Sequence, residues 1–107
     1  MIYELRSYTY VFGKLPRVLA QIEDVLPIWE RIGIRQAGFW TVAIGDRNQV
    51  LHYLVAWESY AERDEKWAKF ANDPEWIEQQ TQSKTDANLY EFTSSSMLMP
   101  TSFSAVR

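Results

Sequence analysis

An α+β fold is what this 107-residue sequence predicts: four antiparallel strands with helices on one face, in the order βαββα(α)β. Three observations predict it. A strand-like opening from Ile2 to Val11 leads into a long amphipathic stripe, two strand-like runs flank a polar GDRNQ segment, and the stretch from His52 to Trp76 joins an apolar strand to two successive helix starts. That order is the split βαβ, ferredoxin-like motif. At this length the chain is expected to be a single domain, 1–107, since there is no room for a second hydrophobic core.

Taken in order, IYELRSYTYV is rich in β-branched and aromatic residues and carries charges at alternate positions, as a strand covered on both faces would. Gly13 ends it. Leu15, Val18, Leu19, Ile22, Val25, Leu26 and Trp29 then recur at helical spacing, opposite Arg17, Gln21, Glu23, Asp24 and Glu30. Pro27 lies inside this pattern, where it removes one backbone bond and crowds the Glu23 carbonyl, so a kink or a new turn is expected. Gly33 suits a left-handed C-terminal cap. Gln36 to Ile44 and Val50 to Trp57 read as a hairpin, with Gly45, Asp46 and Asn48 supplying the turn. Ser59 and Glu62 have capping-box spacing, which ends the strand near Glu58. Asp73 followed by Pro74 opens a second helix, the carboxylate as N-cap and the proline in the first turn. Asn88 to Met99 fits a fourth strand, stopped by Pro100.

The third strand sets an expectation about assembly. Leu51, Tyr53, Val55 and Trp57 alternate with Val50, His52, Leu54 and Ala56, so both faces are largely apolar, whereas a sheet with one wet face alternates with polar residues. Helices cover one face only. A second copy of the same sheet, related by a two-fold axis, is the economical cover for the other, and a homodimer is expected.

Composition narrows the partners. A formal net charge of −3 with dispersed charges gives no basic stripe, which argues against nucleic acid and anionic membrane. With no cysteine, disulfides, thiolate nucleophiles and cysteine-held metals are excluded. The first apolar run is broken by Glu4 and Arg6, so neither a signal peptide nor a membrane span is read, and a cytoplasmic protein is expected.

Glu4, Arg6 and Tyr8 share one face of the first strand. Burial of that face calls for a structural Glu4–Arg6 pair with Tyr8 as hydrogen-bond partner, because an unpaired buried charge costs several kcal/mol. The functional reading makes Arg6 a two-pronged holder of a carboxylate or enolate, with Tyr8 as donor. His52 is the only histidine, which removes any multi-histidine metal site and leaves a strand histidine at the edge of a core, or a ligand contact and proton acceptor. A haem axial ligand is the remotest of its readings, since nothing else in the sequence distinguishes haem from an apolar pocket. Of the five tryptophans, each read singly as core, Trp40 and Trp57 come from neighbouring strands and Trp67 from the inward stripe of its helix. The expected ligand-binding set is therefore Arg6, Tyr8, Trp40, His52, Trp57 and Trp67, with Tyr8 and His52 the candidate catalytic residues, around an apolar cavity between sheet and helices. No metal and no cofactor is expected. Ser94, Ser95 and Ser96 have no activating partner, and Glu62–Lys66 and Glu65–Lys69 read as solvated pairs.

MIYELRSYT at the start, AGFWTVAIGDRNQV in the hairpin, AWESYAERDEKW, ANDPEW and the closing MLMPTSFS together resemble a bacterial member of the NIPSNAP family over nearly the whole chain. The resemblance implies the dimeric α+β barrel superfamily and its dimer. It implies no settled activity, although cousins in the superfamily include cofactor-independent monooxygenases and haem-handling proteins. In the third strand this chain departs from the form of the family in which a histidine, an aliphatic residue and a tryptophan are consecutive: His52 is followed by Tyr53 and Leu54, and Trp57 comes later. Three readings of function follow: a homodimer binding a small apolar or aromatic molecule; a cofactor-independent enzyme, monooxygenase- or isomerase-like, acting on an aromatic or polyketide-like compound; and a structural or partner-binding module.

Overall fold

The computed structural model describes residues 1–82 and 89–107. Along the chain run β1 (Ile2–Tyr10), α1 (Leu15–Ile32), β2 (Arg35–Thr41), β3 (Val50–Trp57), α2 (Tyr60–Ala71), α3 (Pro74–Gln82) and β4 (Tyr90–Leu98). The strands form one antiparallel sheet in the order β2-β3-β1-β4, with the helices packed on one face. This is the ferredoxin-like α+β arrangement.

Local chemistry sets most boundaries. Gly33 stops α1 in the left-handed region at φ 94°, returning its N–H to the Trp29 carbonyl at 2.9 Å. The Lys66 ammonium donates to the Gly33 carbonyl at 2.9 Å, which ties the end of α1 to α2. Ser59 Oγ accepts from the Glu62 N–H at 3.0 Å. The return arm of the box differs from expectation: Glu62 Oε1 accepts from the Glu58 N–H at 3.2 Å, because Arg35 and Lys66 hold the carboxylate from either side. Asp73 caps α3 through the N–H groups of Glu75 and Trp76 at 3.0 and 3.1 Å, while its other oxygen pairs with Arg31 at 2.8 Å and joins α3 to the last turn of α1.

The helix at Pro27 and the bounds of the second strand differ from expectation. Helix α1 runs through Pro27 without a new turn: Val25, Ile28 and Trp29 are buried around it, and their packing outweighs one lost backbone bond. Strand β2 begins at Arg35 and ends at Thr41 rather than at Ile44, and residues 42–49 form the connection. The apolar run there mimics a strand, yet the Ile44 side chain is 97% exposed, and the pairing of β2 with β3 ends at Thr41, opposite Leu51. The start of the fourth strand at Asn88 lies outside the described residues, and β4 is seen from Tyr90. Within β2 a register shift occurs between Gln36 and Gly38, and Gly38 is required: its φ is 144°, and the Trp40 ring occupies the space a Cβ would take.

The core lies between sheet and helices. Val18, Val25 and Trp29 of α1 meet Leu51, Tyr53, Val55 and Trp57 of β3. By the alternation of the strands, Tyr3, Leu5, Ser7 and Thr9 of β1 and Val50, His52, Leu54 and Ala56 of β3 face the other way, where no helix lies. The thinnest extent, 19 Å, is that of one sheet layer and one helix layer at about 10 Å each. Among the described residues no helix is long and apolar enough to cross a membrane.

Replacing Ser59 by Ala removes the α2 cap and is expected to lower stability by about 1 kcal/mol. Urea unfolding checks this: the midpoint falls while the slope stays constant.

Candidate functional site

Glu4 sits in the middle of β1 on the helix-facing side and is fully buried. A carboxylate there must be paired and hydrogen-bonded, or it would cost several kcal/mol. Four elements supply the partners. From α2, Arg63 donates from Nε to Oε1 at 2.9 Å and from Nη2 to Oε2 at 3.3 Å, and the Trp67 indole donates at 2.9 Å. From β3, the Trp57 indole donates at 3.1 Å. From β1, Arg6 Nη1 approaches to 3.5 Å, and from β4 Ser95 Oγ reaches the same oxygen at 3.5 Å. Burial pushes the Glu4 carboxyl up, but the hydrogen bonds from Arg63 and Trp67 and the charges of Arg63 and Arg6 outweigh it, holding the group below the usual carboxylate range.

Arg6 is committed within this cluster. Its Nη2 donates to the Tyr8 hydroxyl at 2.6 Å, and its guanidinium lies 5.2 Å from the Trp67 ring centre and 5.5 Å from that of Tyr8. Among the described residues Arg6 Nε is buried without a hydrogen-bond acceptor, as is Trp29 Nε1. The structural Glu4–Arg6–Tyr8 arrangement expected from the sequence is thus present, but Arg63, at shorter distance, is the principal counter-ion.

Tyr8 carries the cluster to the edge of a cleft of about 480 Å³ between α1, α3 and the adjoining ends of β1 and β4. Val18 and Val25 of α1 and Tyr10 of β1 form its buried part, with Trp76 of α3 and Tyr90 of β4 also lining it. The three tyrosine rings contact one another: Tyr8 to Tyr90 at 5.7 Å, Tyr8 to Tyr10 at 6.1 Å and Tyr10 to Tyr90 at 6.4 Å. Burial, together with neighbouring Tyr8, pushes the Tyr10 and Tyr53 phenols well above the ordinary tyrosine value, so both remain protonated donors. Among the described residues no group of three or more histidine, aspartate or glutamate side chains converges to hold a metal.

The six residues singled out from the sequence do not share one site. Arg6, Tyr8, Trp57 and Trp67 converge on the helix-facing side, and of these only Tyr8 lines the cleft. His52 and Trp40 lie on the opposite face. In the antiparallel register Arg6 is opposite Tyr53 while Ser7 is opposite His52, and Trp40 is opposite His52 across β2. His52 Nδ1 is hydrogen-bonded to Ser7 Oγ at 2.7 Å, and Trp40 is 51% exposed. The strands were correctly placed as neighbours; the pleat parity between them separates the side chains.

Sequence reasoning missed Arg63, Tyr10 and Tyr90. The signal for Arg63 was available: it precedes Trp67 by four residues, so it shares the inward stripe of α2, and a buried carboxylate on β1 demands a cation. Tyr10 and Tyr90 gave none, because their pairing depends on the β1–β4 register.

Two outcomes test the cluster. Replacing Arg63 by Met, which strands the buried Glu4 charge, is expected to cost about 3–5 kcal/mol in urea unfolding, and Arg6→Met less, since Arg6 stands farther from the carboxylate. Because the folded Glu4 carboxyl titrates below its ordinary value of 4.5, its stabilisation is complete above that pH and is lost as pH falls through the lower folded value. Urea midpoints measured between pH 6 and 2 should therefore decline less steeply in Glu4→Gln than in the parent protein.

The NIPSNAP family profile matches residues 3–105. Among solved structures, the chain is similar to an uncharacterized NIPSNAP domain protein from Burkholderia xenovorans, with 28% identity, TM-score 0.82 and coverage of 97% of this chain and 98% of that one. It is similar also to a NIPSNAP family protein from Agrobacterium tumefaciens, with 25% identity, TM-score 0.86 and coverage of 99% and 98%. A putative antibiotic biosynthesis monooxygenase from Nitrosomonas europaea shares the fold alone, at 9% identity and TM-score 0.66 over 94% of this chain and 98% of that one. Among curated proteins nothing matches. With a family match over nearly its full length and a ferredoxin-like sheet that superposes on two bacterial members, the chain belongs to the NIPSNAP family.

Proposed function

We propose that this NIPSNAP-family chain is a homodimer that binds a small apolar or aromatic molecule in the cleft between sheet and helices. The cleft carries the reading. About 480 Å³ falls within the range of small-molecule sites, roughly 300–1,000 Å³, and an apolar floor with a few tyrosine hydroxyls is their usual lining. The dimer is supported by the face of the sheet that lacks helices, where Leu5 and Leu54 are half-buried and Trp40, Phe92 and Leu98 are exposed. A two-fold contact makes one such surface complementary to its own copy.

A second reading, a cofactor-independent enzyme acting on an aromatic or polyketide-like compound, is favoured by one observation. Tyr8 lines the cleft, and its hydroxyl oxygen accepts from Arg6 at 2.6 Å. Oxygen uptake or product formation that disappears in Tyr8→Phe would decide for it; binding without turnover decides for the first.

Naphthalene, titrated into the protein and followed by tyrosine and tryptophan side-chain NMR signals, is expected to shift Tyr10 and Trp76. Ile22→Trp, which fills the cleft, is expected to abolish those shifts while leaving the far-UV circular dichroism unchanged. Undiminished binding by this variant would remove the cleft as the site. For the dimer, the unfolding midpoint should rise with protein concentration. A species of 12.6 kDa at micromolar concentration in sedimentation equilibrium would remove that part.

A further inference from the structure

We infer that the cleft selects an uncharged, planar molecule of two or three fused rings bearing hydroxyl or carbonyl groups, and rejects anions of the same shape. This rests on the cleft being a ligand site. It departs from the sequence expectation that Arg6 anchors an anionic oxygen.

The charge around the cleft is the reason. Asp24 is the single ionised side chain among its described lining residues, with no lysine, arginine or histidine. The guanidinium of Arg6, which pairs with cleft-lining Tyr8, is taken up by the Tyr8 hydroxyl, the Trp67 ring and Glu4. A carboxylate entering the cleft would leave water without gaining a cation from the described lining residues and would meet the Asp24 carboxylate. Hydroxyl and carbonyl groups find the opposite situation. Gln21, Gln79, Gln80 and Gln82 line the cleft with neutral amides that both donate and accept. Gln79 is held in place by its Nε2 donating to the Asp24 carbonyl oxygen at 3.2 Å. Tyr8 and Tyr90 add phenol groups, and the rings of Tyr10, Tyr90 and Trp76 offer stacking surface above Val18 and Val25. The lining is therefore apolar and aromatic in its depth and amide-rich elsewhere, which suits a flat lipophilic ring system with uncharged polar substituents at its edge.

The test compares 2-naphthol with 2-naphthoate at pH 7, where the two share a ring system and differ in charge. Affinities are measured by isothermal titration on the full chain, alongside naphthalene as the bare ring. The parent protein is expected to bind 2-naphthol at least about tenfold more tightly than 2-naphthoate. Asp24 is exposed, so Asp24→Lys should keep the thermal midpoint while closing or reversing that preference by about tenfold. Equal binding of the two compounds by the parent, or a preference that Asp24→Lys leaves unchanged, overturns the inference while the cleft remains a site. If none of the three compounds binds, the small-molecule reading of the cleft fails with it.

Discussion

The buried carboxylate of Glu4 is the constraint around which the molecule is arranged. It stands on the central strand pair and gathers an arginine and an indole from α2, an indole from β3 and a hydroxyl from β4. Each donor would be costly to bury alone, and so would the acceptor; together they form a network in which the low polarity of the surroundings strengthens every bond. The placement of α2 over the sheet follows, since Arg63 and Trp67 reach Glu4 only from one helix phase. Arg6 is fixed by the same charge, Tyr8 by Arg6, and the edge of the cleft by Tyr8.

What could be read from the sequence was whatever is decided by residues near one another along the chain. The caps at Ser59 and Asp73, the αL stop at Gly33 and the two apolar faces of β3 are all local patterns, and each is present in the structure. The Glu4 cluster is not local. Apart from Arg6, its indole and guanidinium partners lie 53, 59 and 63 residues away, and no spacing rule ties them to Glu4. At Pro27 no new turn forms, since the helix continues through it with Ile28 and Trp29 buried, and Ile44 is an apolar residue in a strand-like run that has no partner strand.

The grouping of His52 and Trp40 with Arg6 shows why neighbouring strands do not guarantee a shared site. In the antiparallel ladder the position opposite Arg6 is Tyr53, so even-numbered residues of β1 and odd-numbered residues of β3 share a face. Register, which no composition argument fixes, decided the matter. On the other face Trp40, His52, Ser7 and Ser94 form one row across all four strands, joined at its centre by the Ser7–His52 hydrogen bond. That row puts a polar seam through a face whose ends, at Tyr3, Ala56 and Leu98 on one side and Val50 and Phe92 on the other, are apolar.

Strand β4 carries a further consequence in its repeated serines. Ser94, Ser95 and Ser96 lie opposite Ser7, Arg6 and Leu5, and three identical side chains cannot tell β1 which of them belongs where. A slip of two residues would keep every side chain on its proper face and cost the serines almost nothing. Alignment must therefore come from the ends of the strand: Met97 beside Glu4 and Leu98 beside Tyr3 at one end, Tyr90 against the Tyr8 and Tyr10 rings at the other. β4 is also a border strand, and its serine-rich middle makes it a poor template for stray chains in search of a partner. The same small hydroxyl residues that loosen its alignment thus keep the border from recruiting foreign strands.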